Sequence, residues 1–298
     1  MIQLIGIALL FSITTMVSAT ITVIDDDGNT INLSSAAHRI ISLAPNVTEL
    51  LFTVGAGDRI IGAVEHSDYP SEAQQIRRIG GFNAVDLELI LALKPDLVIG
   101  WRTGNNPVQL DKLRAMGLPL FVSEPRHLVD IPDTARRLAM LAGTSDQAKK
   151  FIKKFEQHRL KLKQRYSRLK PVKLFYEVWH QPLITINGDH LISDLIRLCG
   201  ATNIFAEVPV LAPTVSIEAV ITAAPDIIVT GAHHTARNEW RSAWQAWPEI
   251  PAVAHEQLYF INPDLIQRQG PRILQGAEQL CEFVEQARQI RYAGDKSL

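Results

Sequence analysis

The chain has 298 residues, 47% of them hydrophobic and 20% charged, with 30 Lys and Arg against 31 Asp and Glu. That length allows about two globular units. Near-neutral charge excludes a nucleic-acid binder that works by phosphate neutralisation, and the apolar share excludes disorder. The two cysteines exclude a disulfide scaffold and a four-cysteine zinc site, and leave open a pair or two inert core thiols.

The first charged side chain is Asp25. Before it lie an apolar stretch over 4–11 and the small-residue pattern Val17-Ser18-Ala19, which predict a signal peptide over 1–19, cleaved after Ala19. Ser12, Thr14 and Thr15 interrupt the apolar run, so a retained membrane anchor is not expected. No cysteine lies near the cleavage point, which disfavours a lipid anchor. The predicted mature protein is exported, soluble and not membrane-inserted.

Residues 20–35 read as a hairpin turning at Asp26-Asp27-Gly28-Asn29. Short β-branched runs at 39–43, 59–64, 96–99 and 118–122 alternate with helical patterns at 48–54, 87–93 and 107–116, the rhythm of a parallel α/β unit. The stretch 145–170 has no Gly or Pro. Its Phe151, Phe155, Leu162, Tyr166 and Leu169 form one apolar stripe, so it reads as one long helix. Its ten Lys and Arg read as a solvated basic face. Strands are then predicted at 173–178, 227–230 and 258–261, and helices at 191–198, 217–223, 240–247 and 272–290.

A duplication ties the halves together. Glu88 to Gly100 (ELILALKPDLVIG) matches Glu218 to Thr230 (EAVITAAPDIIVT), with Glu seven residues before Pro-Asp in both. Each reads as a helix stopped by Pro and followed by a buried strand. The predicted fold class is therefore α/β: two Rossmann-like lobes, 36–144 and 171–298, joined by one long helix, 145–170, with a ligand cleft between them. One stiff connection permits little hinge motion.

Motifs of catalysis are missing: no Gly-x-Ser-x-Gly, His-Glu-x-x-His, phosphate-binding loop or Gly-x-Gly-x-x-Gly occurs. His233-His234 in an extended segment would point apart, and His255-Glu256 lacks a second histidine four residues on. Neither an enzyme, nor a metal site, nor a bound cofactor is expected. Tyr69, Phe82, Trp101 and Trp179 fall just beyond predicted strands, where α/β units line their ligand crevice. Four such rings predict a cleft that grips a broad, partly apolar ligand. Trp240, Trp244 and Trp247 share one helix face and read as core. Asp264-Leu265-Ile266-Gln267-Arg268 follows the last strand, with Asp264 and Arg268 placed either to hydrogen-bond amide groups of a ligand or to pair with each other as a surface ion pair. Glu88 and Glu218, equivalent in the duplication, are placed to dock a two-fold symmetric partner.

The motifs RIISLAPNVTEL (39–50), SDYP (67–70), LKPDLVI (93–99) and GATNIF (200–205) resemble the helical-backbone class of periplasmic substrate-binding proteins, which serve ABC importers of cobalamin, haem and iron–siderophores. The resemblance runs from Arg39 to Ala287 and is nearest to the cobalamin binders. It implies a monomeric, non-enzymatic periplasmic protein that hands cobalamin or a related corrinoid to a permease dimer, with haem or an iron–siderophore as the alternative cargo. It carries Tyr69, Trp101-Arg102 and the loop Asp264 to Arg268, followed by Pro271-Arg272, to ligand contact. Glu88 and Glu218 carry to permease docking, and Cys199 and Cys281 to a disulfide that closes a separation of 281 − 199 = 82 residues. Departures lie mostly in the second lobe. Phe82 stands for a cleft Trp, Ala212 before Pro213 removes a ring, and Val178 takes a Phe position beside which Trp179 can substitute.

Overall fold

A computed structural model describes residues 20–81, 83–231 and 237–293. The expected signal peptide, Phe82 and His233-His234 lie outside the described residues. Strands β1 (Ile21–Ile24) and β2 (Thr30–Leu33) make the antiparallel hairpin, and Asp25 Oδ1 accepts from the Asn29 N–H at 2.7 Å to close its turn. The turn docks on the first lobe: Asp26 N–H donates to Val122 O at 3.0 Å, and the Val122 N–H donates back to Asp25 Oδ2 at 3.2 Å.

The first lobe runs β3 (Ile40–Ser42), α1 (Pro45–Thr53), β4 (Ile60–Ala63), a two-residue pair β5 (Gly80–Gly81) and β6 (Ala84–Val85), α2 (Leu87–Ala92), β7 (Leu97–Trp101), α3 (Pro107–Ala115), β8 (Leu120–Ser123) and α4 (Asp130–Leu141). Its main sheet is parallel with order β4-β3-β7-β8. Then come α5 (Ser145–Tyr166), β9 (Val172–Glu177), α6 (Leu191–Leu198), β10 (Ala201–Asn203), α7 (Ile217–Ala223), β11 (Ile227–Thr230), α8 (Arg237–Gln245), α9 (Pro251–Ala254), β12 (Leu258–Phe260), α10 (Pro263–Ile266) and α11 (Ile273–Arg291). The second sheet is also parallel, with order β10-β9-β11-β12.

The duplication extends to atoms. Asp96 accepts from the His38 and Arg39 N–H groups at 2.8 and 2.9 Å, and Asp226 accepts from the Lys173 N–H at 2.7 Å. In each lobe the Asp of Pro-Asp thus pins the start of the neighbouring strand. Lys94 and Ala224, each just before the Pro, both take a left-handed backbone, with φ of 47° and 49°. These carboxylate bonds satisfy backbone N–H groups at the starts of the inner strands β3 and β9.

Helix α5 spans about 33 Å at 1.5 Å per residue. Its Ala148 joins the first-lobe core, and its Phe155, Leu162 and Tyr166 join the second-lobe core. Phe151 packs against both. Helix α4 also straddles the lobes, with Ile131 in one core and Ala135, Leu138 and Leu141 in the other. The helix predicted over 145–170 stops at Tyr166. The Ser167 hydroxyl donates to Lys163 O at 2.7 Å, and Arg288 Nε donates to Lys170 O at 2.6 Å, holding the last residues in a turn toward β9.

Helix α6 starts on an unusual cap: His190 Nδ1 accepts from the Ile192 N–H at 3.1 Å. Burial drives this imidazole down to about 4. The folded protein therefore keeps it neutral while the unfolded chain takes up a proton near its ordinary value of about 6.5. The unfolded state binds more protons, so stability is full above about pH 6.5 and falls toward pH 4, by about 3 kcal/mol in all. Asn keeps a cap acceptor without titrating. His190→Asn should gain about 2–3 kcal/mol relative to the parent between pH 7 and pH 4.5 in denaturant unfolding. An equal stability difference at both pH values would contradict this.

Candidate functional site

The predicted ligand residues follow strand carboxyl ends in both lobes, the edge where parallel α/β units build ligand sites. Tyr69, 46% exposed, lies on the segment after β4, and Trp101 ends β7. Trp179, 62% exposed, follows β9, its indole N–H donating to Gln181 O at 2.8 Å. Trp101 is half-buried against the first-lobe core, where Gly104 makes room, since a Cβ there would run into the ring.

The two lobes meet in an ion-pair cluster at this edge. Glu49 of α1 is 1% exposed. Arg272 forks onto it, Nε to Oε2 at 2.8 Å and Nη2 to Oε1 at 2.7 Å. Arg268 Nη1 reaches Oε1 at 2.9 Å. Arg268 Nη2 pairs with Asp264 at 2.9 Å and donates to His66 O at 3.3 Å. The Arg272 guanidinium lies 3.9 Å from the Tyr69 ring centroid, a cation–π stack. The hydrogen bonds it donates to Glu49 push the Arg272 guanidinium above its already high ordinary value. One buried carboxylate of the first lobe thus holds two cations of the second. A buried charge is tolerated only when so paired.

The loop after β12 is built for this placement. Asn262 caps α10 by accepting from the Asp264 N–H at 2.9 Å. Gly276 brings α11 against α10, because a Cβ there would strike Leu265 O. Gln267 rests against Tyr176, Nε2 to Oη at 3.5 Å, over Gly231, whose absent Cβ would lie 2.7 Å from that amide. Two sequence assignments change. Ile266, expected in the ligand site, is 1% exposed and turned into the second-lobe core, so it packs rather than contacts ligand. Arg102 is drawn to the hairpin, pairing with Asp27 and with Asp26 O. Asp264, Leu265, Gln267 and Arg268 remain half-buried.

A hollow of about 290 Å³ is lined in part by His180, Ile217, Trp244 and Trp247. Glu177, 1% exposed, accepts at its base from Trp244 Nε1 at 2.8 Å and contacts His180 Nδ1 at 3.1 Å, and burial pushes its carboxyl up. Trp240 and Trp244 are core, as the helix face predicts, whereas Trp247 lies past the end of α8 and packs half-buried against that core. Glu88 and Glu218 both stand exposed at the second residue of a helix, α2 capped by Asp86 and α7 by Ser216. The backbone N–H of Glu218 and the Ser216 hydroxyl hold the Glu218 carboxyl below its ordinary value. Cys199 and Cys281 are joined in a disulfide. Among the described residues no His, Cys, Asp and Glu group is arranged to hold a metal, and no helix is long and apolar enough to cross a membrane.

Glu49 is the residue that sequence reasoning misses. It sits inside the motif 39–50, yet nothing local gives it a role. The available signal is an ionisable side chain on a helix whose neighbours Val47, Leu50 and Leu51 are all core.

Two duplicated parallel lobes, a helical connection and a seam of rings and paired charges at the strand ends define a two-lobed binding protein. The sequence matches the periplasmic binding protein family over residues 40–265, and the chain belongs to that family. It is 37% identical over 249 residues to the vitamin B12-binding protein of Vibrio cholerae, covering 84% of this chain and 90% of that one. The vitamin B12-binding protein of Yersinia pestis is likewise 37% identical, over 84% and 87% of the two chains. The crystal structure of the Vibrio cholerae periplasmic vitamin B12 binding protein BtuF superposes with a TM-score of 0.78, covering 85% of this chain and 98% of that one. The periplasmic heme-binding protein RhuT from Roseiflexus, at 22% identity, covers 85% and 100% of the two chains with a TM-score of 0.76, and shares the fold.

Proposed function

We propose that the protein captures cobalamin or a related corrinoid in the periplasm and delivers it to an ABC importer. The observation that carries this is the 37% identity, across most of both chains, to vitamin B12-binding proteins of two genera. The site geometry supports it. Tyr69, Trp101 and Trp179 offer ring surface from both lobes, and Asp264 and Arg268 add hydrogen-bonding capacity for amides. Capture is reversible binding with no covalent step. The haem and iron–siderophore alternative rests on fold likeness alone. Residues 1–19 serve as the export signal. Equilibrium dialysis of the chain from Thr20 onward against cyanocobalamin tests the reading: one corrinoid retained per chain is expected, and none retained refutes it.

Glu88 and Glu218 then dock the loaded protein, one on each half of a permease dimer, by meeting basic side chains there. The double variant Glu88→Ala, Glu218→Ala is expected to bind cyanocobalamin as the parent does and to lose about tenfold or more of the uptake in a reconstituted importer. Unchanged uptake would remove the docking role.

A further inference from the structure

The fold does not choose its cargo, since the same two lobes at 21–22% identity occur in proteins described as heme-binding. Charge at the seam is a candidate for what does. Four charged side chains touch one another there: Glu49 and Asp264 against Arg268 and Arg272. They cancel, two against two. The cancelling carboxylate is placed where no ligand displaces it, because Glu49 is 1% exposed while Asp264 is 40% exposed at its side chain.

Resting on the corrinoid reading, we propose that Glu49 is a specificity-determining residue. By holding both guanidiniums it leaves, together with Asp264, a ligand face without net charge, and so selects a neutral, amide-bearing ligand over an anionic one of the same shape.

The donor inventory supports this. Arg272 commits Nε and Nη2 to Glu49 and one face of its guanidinium to the Tyr69 ring. Arg268 commits Nη1 to Glu49 and Nη2 to Asp264 and His66 O. A ligand carboxylate gains full charge pairing only by drawing a guanidinium away from Glu49, which weakens the pairing of a buried charge. An amide asks for less. Its carbonyl accepts a guanidinium N–H not spent on Glu49, and its NH₂ donates to the Asp264 oxygen that Arg268 leaves open. Most peripheral chains of a corrinoid end in primary amides, whereas haem and many ferric chelates present carboxylates or other anionic oxygens. Neutralisation from below turns two arginines, which would ordinarily read as an anion site, into amide donors.

The probes are cyanocobalamin and its three monocarboxylates, each with one peripheral propionamide hydrolysed to an acid, which changes charge at nearly constant shape. The readout is the ratio of acid to amide Kd, measured on the parent, Glu49→Gln, Asp264→Asn and a remote control, Asp146→Asn, at the exposed start of α5. In the parent at least one monocarboxylate should bind about tenfold or more weaker than cyanocobalamin. Glu49→Gln should lower that ratio by about tenfold or reverse it, Asp264→Asn should move it the same way, and Asp146→Asn should leave it unchanged. Should Glu49→Gln fail to fold, the exposed Asp264→Asn carries the test alone. No discrimination in the parent, or a ratio unmoved in the folded seam variants, overturns the inference while leaving the corrinoid reading intact. A parent that binds no cyanocobalamin fails the functional reading itself, and is seen before any variant is measured.

Discussion

Glu49→Ala should lower the unfolding free energy by about 3–5 kcal/mol, because it leaves two guanidiniums at a seam shaped around the missing carboxylate. Arg268 and Arg272 are mostly shielded from water, with side-chain exposures of 18% and 14%, so solvent screens them little once the partner is gone. The pair joins positions 219 and 223 residues apart in sequence, hence the loss falls on contacts between lobes rather than within one. Truncating Arg272 instead should cost less, since Arg268 still neutralises Glu49. Equilibrium denaturant unfolding of both variants measures the two values, and a Glu49→Ala loss below about 1 kcal/mol would show the cluster to be a surface pair with an ordinary surface value.

Loss of the Cys199–Cys281 bond is the second large effect. The two Cα atoms are 4.6 Å apart across a sequence separation of 82, and both residues are fully buried. Closing a loop of that length removes about 4–5 kcal/mol of unfolded-state entropy in the chain-entropy model. Both cysteines also sit in the second-lobe core, at the end of α6 and inside α11. The bond therefore ties down the helix whose first turn abuts Arg272 and against which α10 is packed. The double variant Cys199→Ala, Cys281→Ala is expected to unfold with a free energy about 4–5 kcal/mol lower than the oxidised parent, and the reduced parent to fall similarly. Oxidised and reduced parent with the same denaturation midpoint would contradict this.

Much of the fold is legible in the chain because its signals are local. The Pro-Asp repeat marks a helix stop and a buried strand twice, and both copies fold alike, down to the Asp bond onto the adjacent strand. Helix α4 and strand β10 are among the elements that escape a periodicity reading. Helix α4 carries Pro132 in its first turn, where no intrahelical N–H is needed but where a reader expects a break. Strand β10 is three residues long, too short to show alternation, and its register comes from pairing with β9 and from Asn203 Nδ2 donating to Ile186 O at 2.8 Å.

The site divides in the same way. Strand-end rings are visible because position after a strand is a local property, as Tyr69 and Trp179 illustrate. Partnership is not local. Arg102 looks free in sequence, yet the hairpin claims it. Ile266 shares a loop with Arg268, yet one turn of α10 points it into the core. Glu49 acquires meaning only when the second lobe brings two arginines over α1.

The most direct measurement is a calorimetric titration of the chain from Thr20 onward with cyanocobalamin, repeated with haemin in competition. A corrinoid-binding protein should give a single saturating isotherm with one site per chain, undiminished by equimolar haemin. No heat with cyanocobalamin, or its displacement by haemin, would contradict the corrinoid assignment.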